Sequence, residues 1–491
     1  MYIYLGIDIG TTGVKAALFD EKGSLCGSGL AEYTLEKPSP DIVELDPEIY
    51  WLSVKEAVAK ALGKSGFSPE NIRAFSITGQ AETLIFTDAK GNPVRKGIVW
   101  LDNRAAEEAG EMEKVFTSER LFRLSGQTEM LPCWPAPKIL HVKRHEKEVF
   151  AKTAKFLMVE DFIFHKLTGK FATCRGLMPS SLYYDITTGD YVPEILDYLG
   201  ITRSQLPELA EAGEKIACTI ENDSLIPAGI PGGIAPIDHV CGNLGSGCFE
   251  EGMISETTGC SLAVCATFPG IIYDEEKRIS TYHGFKKGSG VLLPWAPTAG
   301  MLLKHFRDEF AGNLNYKELD EAAGNIPAGS EGLILLPHCA GAISPVCNPH
   351  ARGTAWGVTL AHTKGHWARS IMESIGCLLR SNIEILEALG LQVKELRSLG
   401  GGSLSPLWLQ IKADILQTPV TVPAWGSEAT ALGCAILAAA SCGDFSTPEE
   451  GAKALVHTER TVYPGKDAAI YQEIYQQYKA LDKLLMPTYK G

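Results

Sequence analysis

One turn is used twice in this chain, and it limits the available folds more than any other feature. Residues 2–9 are a short apolar run with β-branched and aromatic side chains. Gly10-Thr11-Thr12-Gly13 reads as a turn, and residues 14–19 resume the apolar run before Glu21-Lys22-Gly23 turns again. After residue 250 the pattern returns. Gly252-Met253-Ile254-Ser255 leads to Glu256-Thr257-Thr258-Gly259, residues 261–267 are again apolar and β-branched, and Pro269-Gly270 ends the run. Thr-Thr-Gly is a common turn, so coincidence is the plain alternative; the pair carries weight because each copy falls near the start of a half. Strand, turn, strand is a hairpin, whereas a Walker loop needs G-x-x-x-x-G-K-S/T opening a helix. The only G-K-S, Gly63-Lys64-Ser65, has Val58 where the first glycine should stand and closes an amphipathic stretch at 51–62, so it reads as a helix stop. No G-x-G-x-x-G follows a strand, which leaves a dinucleotide-binding fold without support.

Further strands are predicted at 74–78, 83–87 and 97–100, and helices at 105–116, 137–150 and 159–167. Residues 234–238 are a strand-like run ending in Asp238, and Gly242, Gly245 and Gly247 then suggest a flexible or closely packed segment. Longer helices are predicted at 365–389, 406–416 and 428–440, the second preceded by the turn Gly400-Gly401-Gly402. This alternation makes the class α/β. The 491 residues suit two large domains, and the boundary falls near 243–250, giving domains of 1–245 and 246–491.

Composition narrows the partners. With 59 acidic and 45 basic residues the net charge is −14, which argues against a nucleic-acid or anionic-membrane footprint. No run approaches the ~18 apolar residues of a membrane span. The opening MYIYLGIDIG lacks a basic segment and is interrupted by Asp8, so it does not read as a signal peptide. The 13 cysteines include no C-x-x-C, which excludes zinc-ribbon and thioredoxin patterns; they read as buried free thiols in a reducing cytosol.

Several residues are candidates for chemistry on local grounds. A glycine-bounded turn with two threonines can aim backbone N–H groups and hydroxyls at a phosphate. Asp8 beside it makes sense there only with a divalent cation, and otherwise is a strand-end turn residue. Asp238 is a candidate general base, or the N-cap of the helix that follows. In Trp100-Leu101-Asp102-Asn103-Arg104 the indole can stack on a sugar face while Asp102 bonds its hydroxyls; alternatively Asp102 caps a helix and pairs with Arg104. Glu82, after Gly79-Gln80-Ala81, is another polar group at a strand end.

Seven segments then follow in a shared order and spacing: YLGIDIGTTGVKAALFD, ITGQAETLIFTDAKGNPVRKGIVWLDNRA, PAPKILHVKRHE, APIDHVCGNLGSG, ISETTGCSLAV, APTAGMLLKHFRDEF and LGGGSLSPLWLQIKADILQTPVTVPAWGSEATALGCAILA. Together they resemble the FGGY family of carbohydrate kinases almost end to end. The resemblance implies a two-domain fold of the actin and hexokinase (ribonuclease H-like) type, with ATP in the cleft and Mg2+-dependent transfer of its γ-phosphate to a sugar or polyol hydroxyl. It implies Asp238 as the base and Asp8 near the metal. Gly10, Thr11, Thr12 and Lys15 would meet the phosphates from one side and Thr258 and Gly259 from the other. Gly300 would lie near the ribose and phosphates, and Gly401 and Gly402 by the adenine. Gln80, Glu82, Trp100, Asp102, Asp238 and His239 would form the sugar site. Family members are often dimers or tetramers, so a homo-oligomer is expected.

The sugar segment departs from both main patterns. Glycerol kinases usually show Q-R-E-T, where this chain has Gln80-Ala81-Glu82-Thr83, and their tyrosine before the first signature corresponds to Cys133. Xylulokinases usually show G-Q-M-H-G, with Glu82 here in the histidine place, and their Asp-Asn at the base becomes Asp238-His239. Within the first signature His141 stands where a Trp is usual, and Thr257 replaces a common glycine. A ketopentose such as xylulose is the leading expectation, ahead of glycerol or erythritol. Two other classes carry different expectations. An actin-like ATPase would turn over ATP regardless of sugars, and a sugar-sensing regulator would need a DNA-binding appendage.

Overall fold

The computed structural model describes residues 1–490. In the first half the strands are β1 (Ile3–Ile9), β2 (Gly13–Asp20), β3 (Leu25–Glu32), β4 (Ile72–Gly79), β5 (Ala217–Cys218) and β6 (Pro231–Ile234). They form one sheet in the order β5-β6-β4-β1-β2-β3. β6, β4 and β1 run parallel, while β1, β2 and β3 form an antiparallel meander. Helices cover the sheet, so β1 is buried on both faces and reads as a near-continuous apolar run. The helices of this half that matter below are α1 (Pro47–Ser65), α2 (Ala106–Phe116), α3 (Pro135–His145), α4 (Val159–Thr168) and α5 (Asp238–Gly245).

The second half repeats the plan. Its strands are β7 (Met253–Thr258), β8 (Leu262–Pro269), β9 (Ser280–His283), β10 (Ser289–Leu293), β11 (Glu395–Leu399), β12 (Val420–Pro423) and β13 (Thr458–Val462), in the order β9-β10-β8-β7-β11-β12-β13. Three central strands, β12, β11 and β7, are parallel, and β7, β8 and β10 are antiparallel. Each sheet is therefore three parallel strands extended by a meander, with an antiparallel strand closing the parallel edge. The repeated turn sits at the same place in both, between the innermost parallel strand and its hairpin partner. Its helices include α6 (Gly300–Glu309), α7 (Lys364–Ala388), α8 (Pro406–Leu416) and α9 (Ala429–Ser441). This is a two-domain α/β architecture.

Helix α9 carries small apolar residues on almost every side, and it is buried almost completely. It belongs to the second half in sequence but packs in the first apolar core, against β1, β4 and α5. The approach is too close for side chains. A Cβ at Gly433 would lie 2.0 Å from Cys241 O, one at Gly245 1.8 Å from Ala429 O, and one at Gly6 1.9 Å from Ala431 O. The glycines after Asp238 thus mark close packing.

Four sequence expectations shift. The strand before Asp238 stops at Ile234, and Asp238 is the first residue of α5, with Ile237 as its N-cap. Thr257 and Thr258 belong to β7, so the second turn occupies the residues after them. Helix α1 runs through Gly63 and ends at Gly66, whose left-handed φ of 73° an L side chain would resist. All 13 cysteines are free thiols, but only six are buried, and Cys260, Cys339 and Cys347 are exposed. No helix among the described residues is long and apolar enough to cross a membrane.

Candidate active site

The first hairpin turn is held from outside. Gly10 N–H donates to Gly13 O at 3.0 Å, and Tyr33 hydroxyl donates to Gly10 O. Trp100 Nε1 donates to Thr11 Oγ1 at 3.0 Å, which ties the indole of the sugar segment to the turn. Thr12 is exposed. Lys15, opposite Asp8 in the β1–β2 register, donates from Nζ to Ser427 O at 2.7 Å and lies 3.4 Å from Glu428. Its ammonium is therefore committed to the entry of α9 rather than to the turn.

Carboxylates crowd the neighbouring space. Asp238 is half-buried at the first turn of α5 and accepts the His239 N–H at 2.7 Å; the His239 side chain is exposed. Burial pushes Asp8 up to about 7, with the Asp238 charge adding to the rise and Lys15 opposing it. Burial also pushes Glu82 up to about 7; Lys138 opposes this and Asp238 adds to it. Glu160, fully buried on α4, is pushed well above the usual carboxylate range by burial, and its neighbours Asp161, Glu82 and Asp238 contribute. These groups sense one another because they share one poorly solvated space.

Glu82 sits in a strained turn. Its φ is 55°, and Thr83 N–H donates to Ala81 O at 2.7 Å across it. Lys138, fully buried on α3, holds that turn by donating to Glu82 O at 2.8 Å and to Val99 O at 3.1 Å. Burial brings Lys138 down to about 8 against the pull of Cys133, Glu82 and Asp102. Gln80 is buried, and its Nε2 donates to Tyr50 hydroxyl at 3.2 Å. Four buried polar atoms around this turn have no partner: Gln80 Oε1, Ser180 Oγ and both Glu160 oxygens. Unpaired buried polar groups are costly, so a cluster of them calls for an explanation, and the polar groups of a ligand would supply the missing partners.

Asp102 does not join this set. It is fully buried, accepts Val43 N–H at 2.6 Å and is clasped by the Arg104 guanidinium at 2.8 and 2.7 Å. Its oxygens are spent on fixing the backbone, which is the pairing the sequence left open.

The second hairpin faces a cavity of about 440 Å³ that gathers Thr258, Gly259, Gly300, Gly401 and Gly402 with Tyr316, Pro406 and Trp408. The five second-half residues expected near ATP all line this one space, whereas Gly10, Thr11, Thr12 and Lys15 of the first hairpin do not. Gly300 opens α6, whose N-terminal N–H groups can meet an anion. Thr258 contributes its wall position but not its hydroxyl. Thr258 Oγ1 donates to Glu256 Oε2 at 2.7 Å and accepts from Lys412 Nζ at 2.9 Å, inside a buried Glu256–Lys412 ion pair of 2.5 Å. A larger apolar cavity of about 530 Å³, lined by Phe306, Phe310 and Trp367 among others, holds none of the carboxylates.

Sequence reasoning missed Lys138, Glu160, Ser180 and Tyr282. The first two had a visible signal, a charge set inside an apolar stretch (PAPKIL and FLMVEDFIF). Tyr282 had none. It reaches the Glu82 side from β9 of the second half, with its hydroxyl donating to Gln127 Oε1 at 3.1 Å.

The chain is similar to known proteins over its full length. It is 29% identical to the xylulose kinase of Bacillus subtilis, covering 98% of this chain and 96% of that one. It is also 29% identical to the glycerol kinase of Thermococcus gammatolerans, covering 98% and 97%. The fold superposes on the ligand-bound xylulose kinase of Lactobacillus acidophilus with a TM-score of 0.90 at 23% identity, covering 100% and 99%. Residues 3–245 match the N-terminal domain, and residues 263–442 the C-terminal domain, of one family. The two matches together span most of the chain, and the chain belongs to the FGGY family of carbohydrate kinases.

Proposed function

We propose that this carbohydrate kinase transfers the γ-phosphoryl group of ATP to a hydroxyl of a small ketose, a ketopentose such as xylulose before others. The observation that carries the reading is the cluster of unpaired buried polar groups, Gln80 Oε1, Ser180 Oγ and the Glu160 carboxyl, beside Glu82 and Asp238. Sugar hydroxyls, which both donate and accept, match such a lining. The curated relatives named xylulose kinase support the ketopentose.

In this reading Asp238 takes the proton of the attacking hydroxyl. Glu82 and Gln80 bond the sugar's other hydroxyls, with His239 at the rim. Trp100, pinned through Thr11, offers a flat apolar face. Gly10, Thr11 and Thr12 meet the phosphates from the first hairpin, and Gly259 with the start of α6 at Gly300 meets them from the second. Gly401 and Gly402 line the adenosine side. Lys15, bonded to Ser427 and Glu428, couples the first hairpin to α9. Catalysis of this kind is mainly positioning and charge neutralisation.

A magnesium ion fits the oxygen-only donor set here, because Asp8 carries a carboxylate that burial and Asp238 leave short of compensation. Asp8 would hold it. When bound, it supplies neutralisation of phosphate charge.

The proposed working form is a cytoplasmic homodimer, each chain having its cleft between domains of 1–245 and 246–491. A polyol such as glycerol is the second reading, favoured by the retained Glu82 and by the glycerol kinase relative.

The test is ADP release from Mg-ATP across ketoses, aldoses and polyols of three to six carbons. A response dominated by a ketopentose is expected. A response dominated by glycerol or erythritol would replace the substrate, and a constant ATPase rate indifferent to every compound would overturn the sugar-kinase assignment.

A further inference from the structure

Outside the cleft, helices α2 and α3 bring three metal-binding side chains together. His141 and His145 are four residues apart on α3, so they project from one face. Their rings lie 4.4 Å apart, tilted by 34°. Glu108 comes from α2 and is only 1% exposed. His141 Nδ1 lies 3.2 Å from Glu108 Oε2, and His145 Nε2 lies 3.2 Å from Glu108 Oε1. All three ligand atoms fall within 4.8 Å of one another. None of them takes part in the cleft contacts above, and His141 is the residue that departs from the family's usual tryptophan.

The geometry points to a divalent transition-metal site formed by Glu108, His141 and His145, taking Zn2+ with a water in the fourth position. Zinc–nitrogen and zinc–oxygen bonds of about 2.0–2.1 Å put tetrahedral ligands about 3.3 Å apart. Each imidazole nitrogen lies 3.2 Å, about that edge, from one Glu108 oxygen, His141 from Oε2 and His145 from Oε1, so a small turn of the carboxylate brings its oxygens onto an ion held by both rings. Two imidazoles and one carboxylate suit Zn2+ rather than Mg2+ or Ca2+, which prefer all-oxygen sets. The histidine spacing is the one helices use to present two ligands to one zinc. One side is open for water, since the His145 side chain is 55% exposed and that of His141 19%.

The surrounding charges allow a cation. Arg144 is the cation beside the site, with Nη1 3.9 Å from Glu108 Oε1. Its main partner is Glu111 at 2.6 Å, which also accepts the Tyr198 hydroxyl. The Arg144 guanidinium and Tyr198 hydroxyl hold Glu111 down at about 2, so it stays ionised and compensates Arg144. Lys143 points away to Tyr198 O at 3.2 Å. A metal here joins α2 to α3, and its effect is on the stability of that helix pair.

The test is Zn2+ titration of chelator-treated full-length protein against a chromophoric chelator, with melting temperature followed in parallel. One tight equivalent and a raised melting temperature are expected, both lost in His141→Ala and in His145→Ala, with kinase rates of the metal-free variants unchanged. His145 is exposed enough that its variant should fold even if Glu108→Gln does not. Because 13 free thiols could also take zinc, Co2+ spectra serve as the second readout. A nitrogen–oxygen spectrum without a sulfur charge-transfer band is expected. No tight binding, binding retained in both histidine variants, or a thiolate spectrum would each overturn the proposal.

Discussion

Substituting Gly433 by Ala tests whether the α5–α9 contact positions the proposed base. In the native packing the new Cβ would sit 2.0 Å from Cys241 O and 2.7 Å from Cys241 C. Ordinary contact begins at 3.4 Å, so α5 and α9 must separate by up to 3.4 − 2.0 = 1.4 Å along that line. Cys241 is one turn from Asp238 on the same eight-residue helix, so the carboxylate moves with it. Overpacking a core costs about 1–3 kcal/mol. Replacing a helical glycine by alanine returns up to ~1 kcal/mol, so the net loss is about 0–2 kcal/mol. A displacement of about 1 Å at reacting groups can cost on the order of 10²-fold in rate. Steady-state ADP release should therefore show kcat reduced by about 10- to 100-fold while urea denaturation shows only a small loss of stability. Gly63→Ala in α1 is the control, because a Cβ there meets nothing within 4 Å. It should stabilise by up to ~1 kcal/mol and leave kcat unchanged. Native kcat in Gly433→Ala would refute the idea that this crossing sets the position of Asp238.

Two further outcomes follow from the same geometry. Asp102→Asn should cost about 2–3 kcal/mol by urea denaturation, because a buried charged partner of Arg104 and Val43 is lost, while KM for the sugar stays within about twofold; a large KM change with native stability would return Asp102 to the sugar site. Asp8 and Glu82 titrate near about 7 in the fold, against roughly 4 when unfolded. Their folded values are raised, so the stability they contribute is complete below pH ~4 and is lost as pH rises through about 7. The ligand-free protein should melt at progressively lower temperature from pH 5 to 8, less steeply in Asp8→Asn; an identical slope in the variant would exclude Asp8 as a source.

Much of the architecture was legible because it rests on local pattern. The Thr-Thr-Gly repeat located both hairpins, and the helix predicted at 406–416 has those same bounds in the structure. What the sequence hid depends on distant partners. Nothing local says that Asp102 meets Val43, that Thr258 gives its hydroxyl to Glu256, or that Lys15 crosses to Ser427. The strand expected to end in Asp238 failed for a local reason. Residues 235–237 are buried and apolar like a strand, but only Ala235 still donates to the sheet, to Ile77 O at 2.8 Å, and Pro236, with no N–H to give, ends the pairing before α5 begins. On the proposed nucleotide side glycines announced themselves, since close approach needs them. At the proposed sugar site the unpaired groups Gln80 Oε1, Ser180 Oγ and Glu160 come from three separate segments and meet only when folded.

The most direct test of the account is Asp238→Asn, assayed for sugar-dependent ADP release alongside ATP binding by calorimetry. The substitution keeps shape and removes the proton acceptor. The account predicts a folded protein that binds ATP as before and turns over ~10²–10⁴-fold more slowly with the best sugar. Full turnover in this variant would contradict it and remove Asp238 from the chemistry.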